Sequence, residues 1–103
     1  MSQYSFPIQS DWTTDEMIDV VDFLAAIEKA YEQGIALDEL SIKYQKFKQV
    51  VTSISAEKRM GRDFKQASGY EIYPVVKKLK ALEKIERENP KSLTKRDQWI
   101  KMS

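Results

Sequence analysis

Apolar positions recur with helical spacing in four stretches of the chain, and nowhere do they alternate with the period of a strand. In the first stretch Met17, Val20, Val21, Leu24, Ile27 and Tyr31 form one stripe. Thr13-x-x-Glu16 ahead of it is a capping box, in which the hydroxyl accepts from the Glu16 amide and the Glu16 carboxylate accepts from the Thr13 amide. Asp15 and Glu16 place negative charge at the positive end of the helix dipole, and Gly34 is a stop free to take positive φ. These signals predict a helix over 14–33. The second, over 37–51, has Leu37, Leu40, Tyr44, Phe47 and Val51 on its seam, with Lys43, Lys46 and Lys48 off it. For the third, over 56–68, Ser55 is the expected N-cap and Ala56, Met60, Phe64 and Ala67 face inward, with Gly69 as the stop. Gly61 inside it weakens the helix by about 1 kcal/mol relative to Ala. The fourth covers 74–89, with Pro74 in the first turn, where its missing N–H costs nothing. Val75, Val76, Leu79, Leu82 and Ile85 point inward, and Asn89-Pro90 ends it.

The two ends read differently. Residues 1–12 are expected to be an extended arm laid on the helices, since Tyr4, Phe6, Ile8 and Trp12 are apolar while Pro7 blocks a helix. Trp12, next to the cap, has the position of a staple. Residues 90–103 are basic and expected to be loose, with Thr94-x-x-Asp97 starting a short helix that presents Trp99 and Ile100. The fold class is therefore all-α: one domain over 1–89, a small array or bundle of about four helices, with an N-terminal arm and a loose basic C-terminal tail. A chain of 103 residues has room for one such domain.

At this point the motifs resemble those of a family. The opening YSFPIQSDWTTDEMIDVVDFLAAIEKAYEQGI, the YQKFKQVV of the second helix and the FKQASGYEIYPVVKKLK across the third and fourth resemble the YktA-like family of small uncharacterised proteins of Gram-positive bacteria. The aromatic arm followed by Asp11-Trp12-Thr13-Thr14-Asp15-Glu16, and the ASGY-x-x-Y turn, are the more specific parts. The similarity spans about residues 4–82 and leaves out the basic tail. It implies an array of about four helices and brings with it no activity, ligand or catalytic residue.

Composition narrows the chemistry. With 42% apolar and 32% charged residues the chain is too apolar for a disordered tail and too charged for a membrane protein. Its longest apolar run, Phe23 to Ile27, is five residues, against the roughly 20 of a spanning helix. The start has neither the basic region nor the apolar core of a signal peptide, so a cytoplasmic address is expected. Cysteine and histidine are absent, which removes disulfides, thiol nucleophiles, histidine bases and Cys/His zinc sites. No cofactor is expected. The net charge of +1 hides an asymmetry: residues 1–42 hold nine acids and one base, a net of −8, and residues 43–103 hold sixteen bases and seven acids, a net of +9. The expectation is that the acidic half of the fold is laid against the basic half.

Several clusters carry candidate chemistry. Asp15, Asp19 and Asp22 share one helix face, an arrangement that binds Mg²⁺ or Mn²⁺ in all-α nucleotide pyrophosphatases when a second acidic pair faces it. The only Glu-x-x-Asp is Glu16-x-x-Asp19, and Glu83-x-x-Glu86 lies among Lys80, Lys84 and Arg87. No metal site is expected. Lys77, Lys80, Lys84 and Arg87 line one face of the fourth helix, and Arg59, Arg62 and Lys65 a similar strip on the third. Both suit phosphates. A helix-turn-helix centred on Gly69 fails, because Lys65 and Lys78 stand where small and apolar residues belong. Tyr70 and Tyr73 are read as plugs at the corner between helices, and Trp99 as an exposed anchor for a partner. The resulting expectation is a non-enzymatic protein-interaction module whose candidate contact residues are Arg59, Arg62, Lys77, Lys80, Lys84, Arg87 and Trp99. The alternative is a nucleic-acid-binding protein using the same basic faces, and the third reading a metal-dependent nucleotide hydrolase.

Overall fold

The computed structural model of the protein describes residues 12–102. Four helices dominate: α1 (Thr14–Glu32), α2 (Leu37–Val50), α3 (Ile54–Ser68) and α4 (Ile72–Glu88). Two 3-10 turns, Pro90–Ser92 and Arg96–Gln98, follow α4. The strands β1 (Ile35–Ala36) and β2 (Trp99–Ile100) complete the chain order. The expected arm, with Tyr4, Phe6, Pro7 and Ile8, lies outside the described residues apart from Trp12, which is half-buried against the core.

The caps explain the helix bounds. Thr13 forms both bonds of its capping box, at 2.8 Å from its amide to Glu16 Oε1 and 3.1 Å from the Glu16 amide to its hydroxyl. Gly34 takes φ +92° just past α1, and its amide donates to the Lys29 carbonyl at 2.7 Å. Gly69 takes φ +84° at the end of α3. The third helix starts two residues earlier than the pattern predicts, because Ser53 and not Ser55 is the cap: its hydroxyl accepts from the Ala56 amide at 3.0 Å. The fourth also starts two residues early, at Ile72. Pro74 still lies in the first turn, where an amide would have no intrahelical acceptor.

The core is wholly apolar; among the described residues no polar or charged residue is buried. Phe23 of α1 stacks on Phe47 of α2 with centroids 4.3 Å apart, and Tyr44 stands 5.5 Å from Phe23. Val20, Leu24 and Ile27 meet Leu37 and Leu40 around this stack, and α4 adds Ile72, Val75, Val76, Leu79 and Leu82. From α3 come only Met60 and Phe64. Ala67 and Ile85, which periodicity turns inward, are exposed in the last turns of their helices. Polar bonds tie the edges. The Ser41 hydroxyl donates to Glu83, and Glu39 bridges Lys29 of α1 at 3.5 Å and Lys43 at 3.2 Å. At the corner Tyr70 stacks on Tyr31 at 4.9 Å and donates to Glu32, while the Tyr31 hydroxyl donates to the Glu71 carbonyl. Tyr70 is thus the expected plug; Tyr73, 72% exposed, is not.

The C-terminal segment corrects the expectation of a loose tail. β2 pairs antiparallel with β1, Ile100 opposite Ile35 and Trp99 opposite Ala36, and the Met102 amide donates to the Ala30 carbonyl at 2.8 Å. Ile100 is fully buried. Thr94 and Asp97 exchange backbone-to-side-chain bonds of 3.1 and 3.3 Å and hold the turn before it. The physical reason is that the α1–α2 corner leaves backbone groups and an apolar socket open, and Ile100 with its flanking amides satisfies both. Trp99 packs against Gly34, so close that a Cβ there would stand 2.0 Å from the indole Nε1. Gly34→Ala therefore meets a positive φ and a blocked site together, and should lower stability by about 1–3 kcal/mol. In a Trp12→Phe background, Trp99 emission should shift to the red as the indole is displaced. An unchanged midpoint and emission maximum would mean that Trp99 does not rest on this corner.

Candidate interaction cleft

Three helices leave an open cleft of about 620 Å³ between them. Because α3 sends only two side chains into the core, its next face along stays uncovered. Ile54, Glu57, Lys58, Gly61, Arg62 and Lys65 recur on that face every three to four residues. α4 supplies Ile72, Tyr73, Val76 and Lys80, with Glu71 at its N-cap, and α2 supplies Tyr44 and Lys48. Two large apolar side chains stand open to water on this surface, Ile54 at 71% and Tyr73 at 72%. Midway along α3, Gly61 leaves the wall unfilled: a Cβ there would meet nothing within 4 Å.

The charge of the cleft follows from its pairs. Lys48 is bonded to Glu57, and Lys65 to Glu71 at 3.1 Å, so both acids on the rim are matched by lysines. Lys58, Arg62 and Lys80 form no ion pair among the described residues. The Lys80 ammonium lies over the Tyr44 ring, 5.8 Å from its centroid, an attraction worth about 0.5–1 kcal/mol at an exposed site. Burial, followed by the nearby Glu57 carboxylate, pushes the Tyr44 phenol up from its ordinary value, so it stays a neutral hydroxyl under a cationic lid.

The basic residues singled out in the sequence divide on this surface. Arg62, Lys65 and Lys80 line the cleft together. Arg59, Lys77, Lys84 and Arg87 are exposed but are not among its lining residues. Trp99 lies elsewhere, 49% exposed over Gly34, where it borders a second hollow of about 410 Å³ with Lys78, Leu82, Arg96, Asp97 and Lys101. The acidic half is laid against the basic half, through the Phe23–Phe47 stack and the β1–β2 pair, but the charges of α1 are not what joins them. Among the described residues no acid of α1 pairs with a base of α3 or α4. α1 packs against α2 through apolar side chains, and its Asp15 and Asp22 face water. Tyr44, Lys48, Ile54, Glu57, Lys58, Glu71, Ile72, Tyr73 and Val76 line the cleft although sequence reasoning did not assign them to a site. Only Gly61, a glycine inside a helix, signalled that something there is unusual. Among the described residues no three acids converge on a point where a metal ion would sit, and none of the helices is long and apolar enough to cross a membrane.

Fold and surface together define a small all-α protein: four helices locked by a two-residue ladder, with an open cleft bordered by cations. The chain belongs to the uncharacterised protein family UPF0223, which it matches over residues 3–88. It is 55% identical to a UPF0223 protein of Listeria welshimeri over 78 residues, covering 76% of this chain and 87% of the relative. Over 78 residues it is 47% identical to a UPF0223 protein of Lysinibacillus sphaericus, covering 76% of this chain and 82% of the relative. A UPF0223 protein of Enterococcus faecalis is 45% identical over 80 residues, covering 78% of this chain and 87% of that protein. The resemblance to an uncharacterised family of Gram-positive bacteria therefore holds. The match ends at residue 88, so the segment that docks on Gly34 lies beyond it.

Two stability measurements follow from this geometry. The hydrogen bond from Lys43, with Lys29 nearby, holds the Glu39 carboxyl below its ordinary value of 4.5. A carboxyl lowered in the folded state adds stability above the unfolded value and loses it as pH falls through the folded one. Glu39→Gln should therefore lower the melting temperature near neutral pH and leave it unchanged relative to the parent at acidic pH, where both lack the charge. Equal acid sensitivity in the two proteins would remove Glu39 from the linkage. Gly61→Ala should raise stability by about 1 kcal/mol, since it gains helix propensity and meets no neighbour. A lower denaturant midpoint would show that α3 needs glycine at this position.

Proposed function

We propose that this protein is a non-enzymatic interaction module of the cytoplasm that binds a protein partner through the cleft between α2, α3 and α4. One observation carries the reading: Ile54 and Tyr73, both more than two-thirds exposed, border an apolar floor made by Tyr44, Ile72 and Val76. Apolar side chains grouped in this way, with a polar rim, mark interaction sites. The apolar floor also separates this reading from its alternative. A phosphate backbone calls for cations and hydrogen-bond donors and gains little from Ile72 or Val76.

Both side chains are exposed, so Ile54→Ala together with Tyr73→Ala should fold as the parent does. The test is affinity capture from native cytosol with parent and double variant in parallel, then titration of the recovered protein in purified form. The expected outcome is a partner bound by the parent and weakened at least about tenfold by the double variant, a loss of about 1.4 kcal/mol. Labelled duplex and single-stranded oligonucleotides provide the second arm. Submicromolar nucleic-acid binding that survives 150 mM salt and is weakened by Lys80→Glu would overturn the proposal in favour of the basic faces of α3 and α4.

A further inference from the structure

We infer that the occupant of the cleft is an acidic amphipathic helix of about three turns, seated against Gly61. This deepens the reading of the cleft as an interaction surface and rests on it. Three features of the cleft determine the occupant.

The first is length. The lining face of α3 runs from Ile54 to Lys65, which at about 1.5 Å per residue is roughly 16 Å. The second is hydrogen bonding. The residues of the walls belong to helices and their caps, and the cleft has no strand edge to receive an extended peptide. A chain buried here must satisfy its own backbone, and a helix does so. The third is charge. Glu57 and Glu71 are matched by Lys48 and Lys65, which leaves Lys58, Arg62 and Lys80 as excess positive charge. Carboxylates flanking the apolar face of the occupant match these three cations.

Gly61 fixes where the occupant comes closest. Its φ is not positive, and no neighbour lies where its Cβ would be, so neither backbone conformation nor internal packing requires glycine. Glycine weakens a helix interior, yet here it opens the middle of the binding face. The missing side chain is what lets a large apolar residue of the occupant reach the floor at Ile72 and Val76. The acidic helix of this chain, α1, is not such an occupant in a second copy. The exposed face of α1 has the acids Asp15 and Asp22 but only one large apolar side chain, Ile18, where a groove needs anchors at i, i+4 and i+7.

The experiment is selection on the intact protein from a displayed library of random peptides about 16 residues long. Recovered sequences are resynthesised, labelled and titrated by fluorescence anisotropy. The expected winners are net acidic, have apolar residues at i, i+4 and i+7, and become helical on binding. Their affinity should fall at least about tenfold with Gly61→Gln, which blocks the floor, and with Lys58→Glu combined with Lys80→Glu. Melting temperatures of both variants confirm folding. Neutral or basic winners that depend on Ile54 and Tyr73 would overturn the inferred occupant while leaving the cleft an interaction surface. So would Gly61→Gln binding the winners as the parent does. Recovery of no cleft-dependent peptide would overturn the inference and the interaction reading together. Sedimentation of the free protein closes the remaining case: a dimer abolished by Gly61→Gln would assign the cleft to a second copy.

Discussion

The stack of Phe23 on Phe47 is the contact on which the other elements depend. It joins the two helices that pack most closely, and Val20, Leu24, Leu37 and Leu40 fill in around it. Truncating an aromatic residue in such a position costs about 3–5 kcal/mol, against a total stability of about 5–15 kcal/mol for a domain. Nothing directional supports the stack from inside, because no polar side chain is buried among the described residues. The relative placement of α1 and α2 is fixed by ring shape in the middle and by the Gly34 corner at the end. The corner is set in turn by Trp99, which occupies the space a side chain at position 34 would need. A segment beyond the family match therefore bears on the geometry of the contact between the adjacent helices α1 and α2.

How much of this was legible in the sequence depends on the range of each signal. Thr13-x-x-Glu16, Gly34 and Gly69 are local devices, and each does what its neighbours in sequence imply. The start of α3 moved by two residues because a cap needs only one hydroxyl of suitable geometry, and Ser53 and Ser55 both offer one; α4 starts at Ile72 behind Glu71, which makes no side-chain cap bond. The C-terminal docking left almost no trace. A two-residue strand has no period, so the burial of Ile100 is decided by a socket formed far away in sequence. The charges of α1 do not join the two halves, for a related reason. Helices choose neighbours by their apolar faces, and long lysine and glutamate side chains find water or near partners whichever helix lies opposite.

The cleft was legible in halves. Arg62 and Lys80 could be read from the spacing of their strips, and Gly61 from its unfavourable place in a helix. Their convergence could not, because it requires α2 to bring Tyr44 and Lys48 under the gap between α3 and α4. Arg59 illustrates the limit of helical spacing. It shares a stripe with Arg62 and Lys65, yet the face that opens is the adjacent one, which holds Lys58 instead.

The cleft exists because α3 is held by little. A helix of fifteen residues that buries only Met60 and Phe64 leaves most of its perimeter to solvent. An apolar residue at position 61 would fill the gap and bind α3 more firmly to α4. The chain instead has glycine there, with Ile54 and Tyr73 exposed at the borders. Each of these choices taken singly lowers the stability of the free protein or leaves apolar area in water. Taken together they have one physical consequence, an unfilled groove of defined length with cations along its rim. Stability is concentrated in the α1–α2 pair, its locked corner and the inner face of α4. That concentration is what allows α3 to keep an open face without loss of the fold.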